Sequence, residues 1–294
     1  MTNLRALFLL TLAALAWAGG MRPAASAGAG AEPNVPPPAG YGFSPVNQYG
    51  IQLTAAYWNP IIAYVSEASG VKLNLKIGRT SADTTSYVLT REVEFVFSNH
   101  LFSPEREQLG WKVFGRRNTP PVRGQIVVPE GSSVDKVAQL TGLPVAFPGP
   151  EALVAYKFPY AHLLQQKVNV QVVFGGNMDA ALVQMFAGKA AAAGGNSQLI
   201  EGFARREGKK VRVLWSSEPV HDLALMASSK VPAKDVAAVG RAFFGMAQDA
   251  RGRDILHAAS QQVGLTSDAN FVPSDGSEYD AYRMFYRTAP PQVR

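Results

Sequence analysis

The sequence predicts an α/β protein in two lobes joined by crossing segments. Three observations predict it. From Tyr41 onward, short apolar runs alternate with stretches of helical spacing, which implies sheets covered by helices. The alternation comes as two successive sets. No G-x-G-x-x-G dinucleotide fingerprint marks the chain as one Rossmann-like domain.

The first set opens with a strand at 42–46. Residues 53–65 have helical spacing, with Pro60 as an irregularity or restart. Residues 73–77 alternate Leu, Leu and Ile with polar residues and read as a strand. Ser81 and Asp83 are caps for a helix running to Thr90. Strands follow at 95–97, 111–115 and 125–128. The second set has a short helix at 134–140, a strand at 144–147 and an amphipathic helix at 152–164. Next come a strand at 170–174, a helix at 178–187, a strand at 190–193 and a helix at 198–206. Strands at 211–215 and 223–227 and helices at 234–248, 252–259 and 279–286 complete the chain. Alternation of this kind predicts parallel sheets with helices on both faces. The crossings fall near 117–125 and 215–223. The first lobe is then 41–117 plus 223–294, with the C-terminal helices packed back onto it; the second is 118–222.

The N-terminus reads as a cleaved signal peptide over 1–27. Arg5 provides positive charge, residues 7–18 form an uncharged apolar run, and Ala25-Ser26-Ala27 is a small-x-small cleavage site. The run is shorter than the ~20 residues a spanning helix needs. No Cys follows it, which argues against a lipid anchor. Residues 28–40, rich in Gly, Ala and Pro, form a flexible leader. The expected location is the periplasm.

Composition narrows the chemistry. The 294 residues include no Cys, which removes disulfides, thiolate metal sites and a Cys nucleophile. Without Arg5 and Arg22 the net charge falls from +6 to +4. The cations are scattered, with Arg205-Arg206 and Lys209-Lys210 as short doublets, so no nucleic-acid partner is expected. His100, His162, His221 and His257 show no metal-ligand spacing, and no metal or cofactor is expected. There is no G-x-S-x-G elbow, P-loop or H-E-x-x-H pair, so the chain does not read as an enzyme. Glu92 and Glu94 share one strand face near a surface loop.

Four segments carry a resemblance. They are Phe43-Ser44-Pro45-Val46 leading to Tyr57-Trp58-Asn59-Pro60; 93–100 (VEFVFSNH); 145–152 (VAFPGPEA); and 175–183 (GGNMDAALV). Their order and spacing resemble the phosphate/phosphite/phosphonate-binding periplasmic proteins of ABC transporters, from about Tyr41 to about His257. The resemblance implies a two-lobed periplasmic-binding-protein fold of type II-like form, with ligand in the cleft. It also implies hinge closure and recognition of the closed form by membrane permease subunits. A membrane histidine kinase served by a ligand-loaded sensor is the alternative partner, and a periplasmic enzyme on the same scaffold a further alternative. A monomer is expected.

The implied cleft loops follow predicted strands, where ligands of open α/β sheets sit. They supply Asn47, Gln48 and Tyr49; Ser98, Asn99 and His100; Gly149, Glu151 and Ala152; Asn177 and Met178; and Asn196. Helix N-termini there suit an anion, and Asn, Ser and His offer donors and acceptors. The same residues carry structural readings too. Asn177 is also an N-cap, Glu151 also a first-turn acid, and His100 also a satisfied structural group. Trp58 falls in a helical stripe and reads as core, and His221 reads as a hinge residue. One departure stands out. Family members that hold phosphonates have a Ser/Thr-rich run where this chain has Gly149-Pro150-Glu151-Ala152, and their later His is replaced by Asn177. Glu151 there is expected to oppose a dianion.

Overall fold

The computed structural model describes residues 40–294. The signal peptide expected at 1–27, and all of the leader except Gly40, lie outside the described residues.

In chain order, β1 (Tyr41–Pro45), α1 (Ile51–Ser69), β2 (Leu73–Leu75), α2 (Ser81–Leu89), β3 (Phe95–Ser98), α3 (Pro104–Glu107) and β4 (Trp111–Asn118) form a first run. The second run is β5 (Gly124–Pro129), β6 (Pro144–Phe147), α4 (Phe158–Gln165), β7 (Gln171–Phe174), α5 (Met178–Phe186), β8 (Ala192–Asn196), α6 (Ser197–Glu207) and β9 (Val211–Ser216). The chain then returns with β10 (Ala224–Ser228), α7 (Ala233–Gly245), α8 (Ala250–Gln262), β11 (Asn270–Pro273) and α9 (Asp280–Thr288).

Two sheets result, and each organises one lobe. The first runs β11-β4-β10-β3-β1-β2 and the second β7-β6-β8-β5-β9. Both are mixed, which corrects the expectation of parallel sheets. In the first, β1 lies parallel to β2 and β3, whereas β10 runs antiparallel to β3 and β4. In the second, β6 lies parallel to β7 and β8, whereas β5 runs antiparallel to β8 and β9. The physical reason is the crossover. β4 leaves the first lobe at the hinge and β10 re-enters there, so the two must run in opposite directions.

The two crossings meet. Val122 and Val220 form an antiparallel bridge in which each N–H donates to the other's carbonyl at 2.8 Å.

Helix α1 passes through Pro60 without a break. An interior proline costs about 3 kcal/mol. Tyr57, Trp58, Ile61, Ile62 and Val65 are buried along one face of the same helix. Burying each large apolar side chain returns about 1.5–3 kcal/mol, which outweighs the proline. Trp58 packs against Phe43, Phe97 and Phe271 in the first-lobe core.

Three local expectations shift. The cap of α2 is Thr80, whose hydroxyl accepts from Asp83 N–H while the Asp83 carboxylate accepts from Thr80 N–H. The helix expected at 152–164 divides into a π-helical turn, Leu153–Lys157, and α4. The one expected at 134–140 shrinks to a 3-10 turn, Val137–Leu140. α6 comes very close to the turn after α8: a Cβ on Gly264, at φ +75°, would lie 2.6 Å from the Gly202 carbonyl.

Candidate functional site

A cavity lies where the carboxyl ends of strands from both sheets converge. The centre of a water-sized sphere can occupy about 40 Å³ of it. One water needs about 10–15 Å³ on that measure, so the space suits a ligand of only a few heavy atoms.

The first lobe contributes Val46, Asn47 and Gln48 after β1, Ser81 at the start of α2, and Asn99 and His100 after β3. The second contributes Pro148 and Ala152 after β6, Leu153, Val154 and Ala155 of the π-helical turn, and Met178, Asn196 and Leu199. Leu223 comes from the hinge. Six uncharged polar side chains thus share the cavity with an aliphatic wall, and no Asp, Glu, Lys or Arg lines it. Helices α2, α5 and α6 begin at its edge, so their N-terminal dipole ends favour negative charge there.

The polar groups are anchored from behind. Asn47 Nδ2 donates to the Gly78 carbonyl at 2.5 Å, and its Oδ1 accepts from Thr84 Oγ1 at 3.4 Å. Asn99 bonds Tyr282 through its side chain. His100 Nδ1 sits 2.8 Å from Thr85 Oγ1, and its N–H donates to Ser98 Oγ at 3.0 Å. Burial depresses the His100 pKa to about 3, so the ring is neutral at ordinary pH. Asn196 Oδ1 caps α6 by accepting from Gln198 N–H at 2.9 Å. Gln48 reaches in both directions: its carbonyl accepts from Met178 N–H across the lobes, and its Oε1 accepts from Arg117.

Of the residues expected from sequence, Asn47, Gln48, Asn99, His100, Ala152, Met178 and Asn196 line this cavity. Tyr49, Ser98, Gly149, Glu151 and Asn177 lie outside its lining. Tyr49 is buried against Tyr57 and beneath Arg206, and its hydroxyl has no hydrogen-bond partner. Ser98 is turned to its own loop, where it accepts from His100 N–H. Asn177 is the N-cap of α5, accepting from Ala180 N–H at 2.9 Å. Gly149 backs onto Ser81, where a Cβ would come within 2.5 Å of the Ser81 hydroxyl.

Glu151 accepts from Arg106 Nη1 of α3 at 2.5 Å, an ion pair that joins the two lobes at the rim. Burial pushes the Glu151 carboxyl up, but the Arg106 hydrogen bond and nearby positive charge outweigh it and hold it below its ordinary value. Its charge is therefore spent on Arg106 rather than aimed at the cavity.

Sequence reasoning passed over the hinge pair. Arg117 Nε donates to Asp222 Oδ2 at 2.6 Å with both side chains fully buried. The same guanidinium contacts Tyr57 hydroxyl, Gln48 of the first lobe and Gln198 of the second, each at 3.3 Å. The available signal was an opposite-charge pair, Arg117 and Asp222, each placed at a predicted crossing. Ser81 and residues 153–155 were also passed over, because nothing local shows which side of a helix start faces the cleft.

Comparison with known proteins bears on the fold and the family. The family model described as ABC transporter, phosphonate, periplasmic substrate-binding protein matches residues 43–279. A binding protein component of an ABC phosphonate transporter from Pseudomonas aeruginosa superposes with a TM-score of 0.72 at 13% identity, covering 84% of this chain and 86% of that one. A Prochlorococcus marinus protein in complex with methylphosphonate gives a TM-score of 0.70 at 14% identity, covering 85% and 98%. A Xanthomonas citri protein bound to ATP gives 0.64 at 12% identity, covering 85% and 96%. A search of curated proteins finds no match. The structural likenesses establish the two-lobed periplasmic-binding-protein fold. With the family match spanning most of the sequence, the chain belongs to the periplasmic phosphonate-binding proteins of ABC transporters.

Proposed function

We propose that the chain captures a small phosphonate-class oxyanion with a short apolar substituent and hands it to the membrane permease subunits of an ABC transporter. The observation that carries the ligand class is the cavity wall: uncharged donors and helix N-termini on one part, aliphatic side chains on the rest. An ammonium group on the ligand finds no carboxylate in the lining. The oxygens of a phosphonate find N–H, O–H and amide donors, and an alkyl group finds Leu153, Val154, Ala155 and Leu199. The bodies that close are 41–117 with 223–294 and 118–222, turning about the Val122–Val220 bridge. The protein works as a monomer that binds without turnover, after export through a signal peptide cleaved at Ala27.

Calorimetry and thermal shift test the reading, with methylphosphonate, ethylphosphonate, 2-aminoethylphosphonate, phosphate and methanesulfonate as probes. At 100 times Kd a ligand adds about 2.7 kcal/mol of stability. The expected order places the alkylphosphonates first and the aminoalkyl compound well behind. A preference for the aminoalkyl compound would reject the apolar-substituent assignment. Silence toward every phosphonate would reject the ligand class.

A further inference from the structure

The turn between β6 and α4, Gly149-Pro150-Glu151-Ala152, carries no hydroxyl. Its one strong hydrogen-bonding side chain, Glu151, is bound to Arg106. Yet a hydroxyl does face this turn, and it comes from the other lobe. Ser81 opens α2, is only 3% exposed and lines the cavity. Its Oγ has no hydrogen-bond partner. The backbone of Gly149 faces it so closely that a Cβ there would lie 2.5 Å from Oγ. Its neighbours are committed elsewhere: Thr84 Oγ1 donates to the Pro45 carbonyl, and Thr85 Oγ1 contacts His100 and the Ser81 carbonyl.

We infer that Ser81 is a ligand-binding residue, whose hydroxyl donates to an oxygen of the bound oxyanion from the first lobe. The inference rests on the proposed phosphonate reading. A buried hydroxyl without a partner destabilises the fold unless something meets it. The N-terminus of α2 beside it favours a negative ligand. Gly149 packs directly against the hydroxyl, and the side chain of any larger residue there would push it out of place. Because Pro148 and Ala152 line the same cavity from the second lobe and the hydroxyl from the first, one bound oxyanion would touch both lobes and favour the closed form.

The test is methylphosphonate calorimetry on the full mature chain and on Ser81→Ala, with the melting temperature of each ligand-free protein. A hydrogen bond to a charged group predicts a Kd about 10- to 100-fold weaker for Ser81→Ala. The ligand-free melting temperature should stay the same or rise, since no protein partner loses a bond. Gly149→Ala should weaken binding by crowding the hydroxyl, and Ser81→Ala with Gly149→Ala should bind no better than Ser81→Ala alone. A Ser81→Ala Kd within twofold of the parent overturns the assignment while leaving the ligand class intact. A parent protein that gives no heat with methylphosphonate overturns the ligand class, and the assignment falls with it.

Discussion

The hinge and the rim of the cleft each hold an arginine–carboxylate pair, and the two could hardly be less alike. Arg117 and Asp222 are both 0% exposed, and they link the strand that leaves the first lobe to the strand that returns. Arg106 and Glu151 keep 22% and 21% of their side chains exposed and join the lobes across the opening. Removing one partner of a buried pair strands a charge away from water, whereas water can replace a lost partner at the rim. The hinge pair is thus placed to hold the fold together, and the rim pair to bridge the two lobes across the opening.

The largest expected effect is at the hinge. Asp222→Ala leaves the Arg117 guanidinium buried without its carboxylate and should cost about 3–5 kcal/mol in a chemical denaturation series. A loss below 1 kcal/mol would show that water reaches Arg117 and that the two pairs are of one kind. An intermediate effect belongs to His100, next to the rim pair. Burial lowers its pKa to about 3 from 6.5, against the raising effect of Glu151 and with the lowering effects of Arg106 and Lys157. The unfolded chain thus binds the proton first. Stability from this group is complete above pH 6.5 and is lost as pH falls toward about 3. Between pH 6.5 and 5 the slope should approach 1.4 kcal/mol per pH unit, about 2 kcal/mol in all. Denaturation of the parent and of His100→Gln across that window checks it; parallel curves would remove His100 as the source. The smallest effect is at the rim. Glu151→Gln should cost about 0.2–1 kcal/mol of stability while shifting small-angle scattering of the ligand-free protein toward the open form. An unchanged scattering profile would show that the rim pair does not hold the lobes together.

Much of the fold was legible because apolar runs report strands directly. The strand expected at 144–147 is found there. The missed strand, β11, is four residues ending in Pro273 and sits at a sheet edge, where a short NFVP run gives no alternation to read. The mixed sheets were not legible, because strand direction depends on where a distant segment re-enters. The site was half legible for the same reason. Asn47 and Asn99 follow strands and Asn196 ends one, so they could be placed by rule, but Ser81 becomes a cavity residue only when the second lobe is brought against it. Glu151 was readable as a helix-start acid, yet its partner stands 45 residues away on another lobe.

The position of β10 has a kinetic consequence. It lies between β4 and β3 in the middle of the first sheet, although its residues follow the whole of the second sheet in sequence. Ser98 must find Ala224 before that sheet is continuous. The second sheet, by contrast, is assembled from one uninterrupted stretch, β5 to β9. A chain emerging from its N-terminus can therefore complete the second lobe while the first still has an open gap in its centre. Until residues 224–228 arrive, β3 and β4 lack the strand that joins them, and their edges stand open to pairing with another chain.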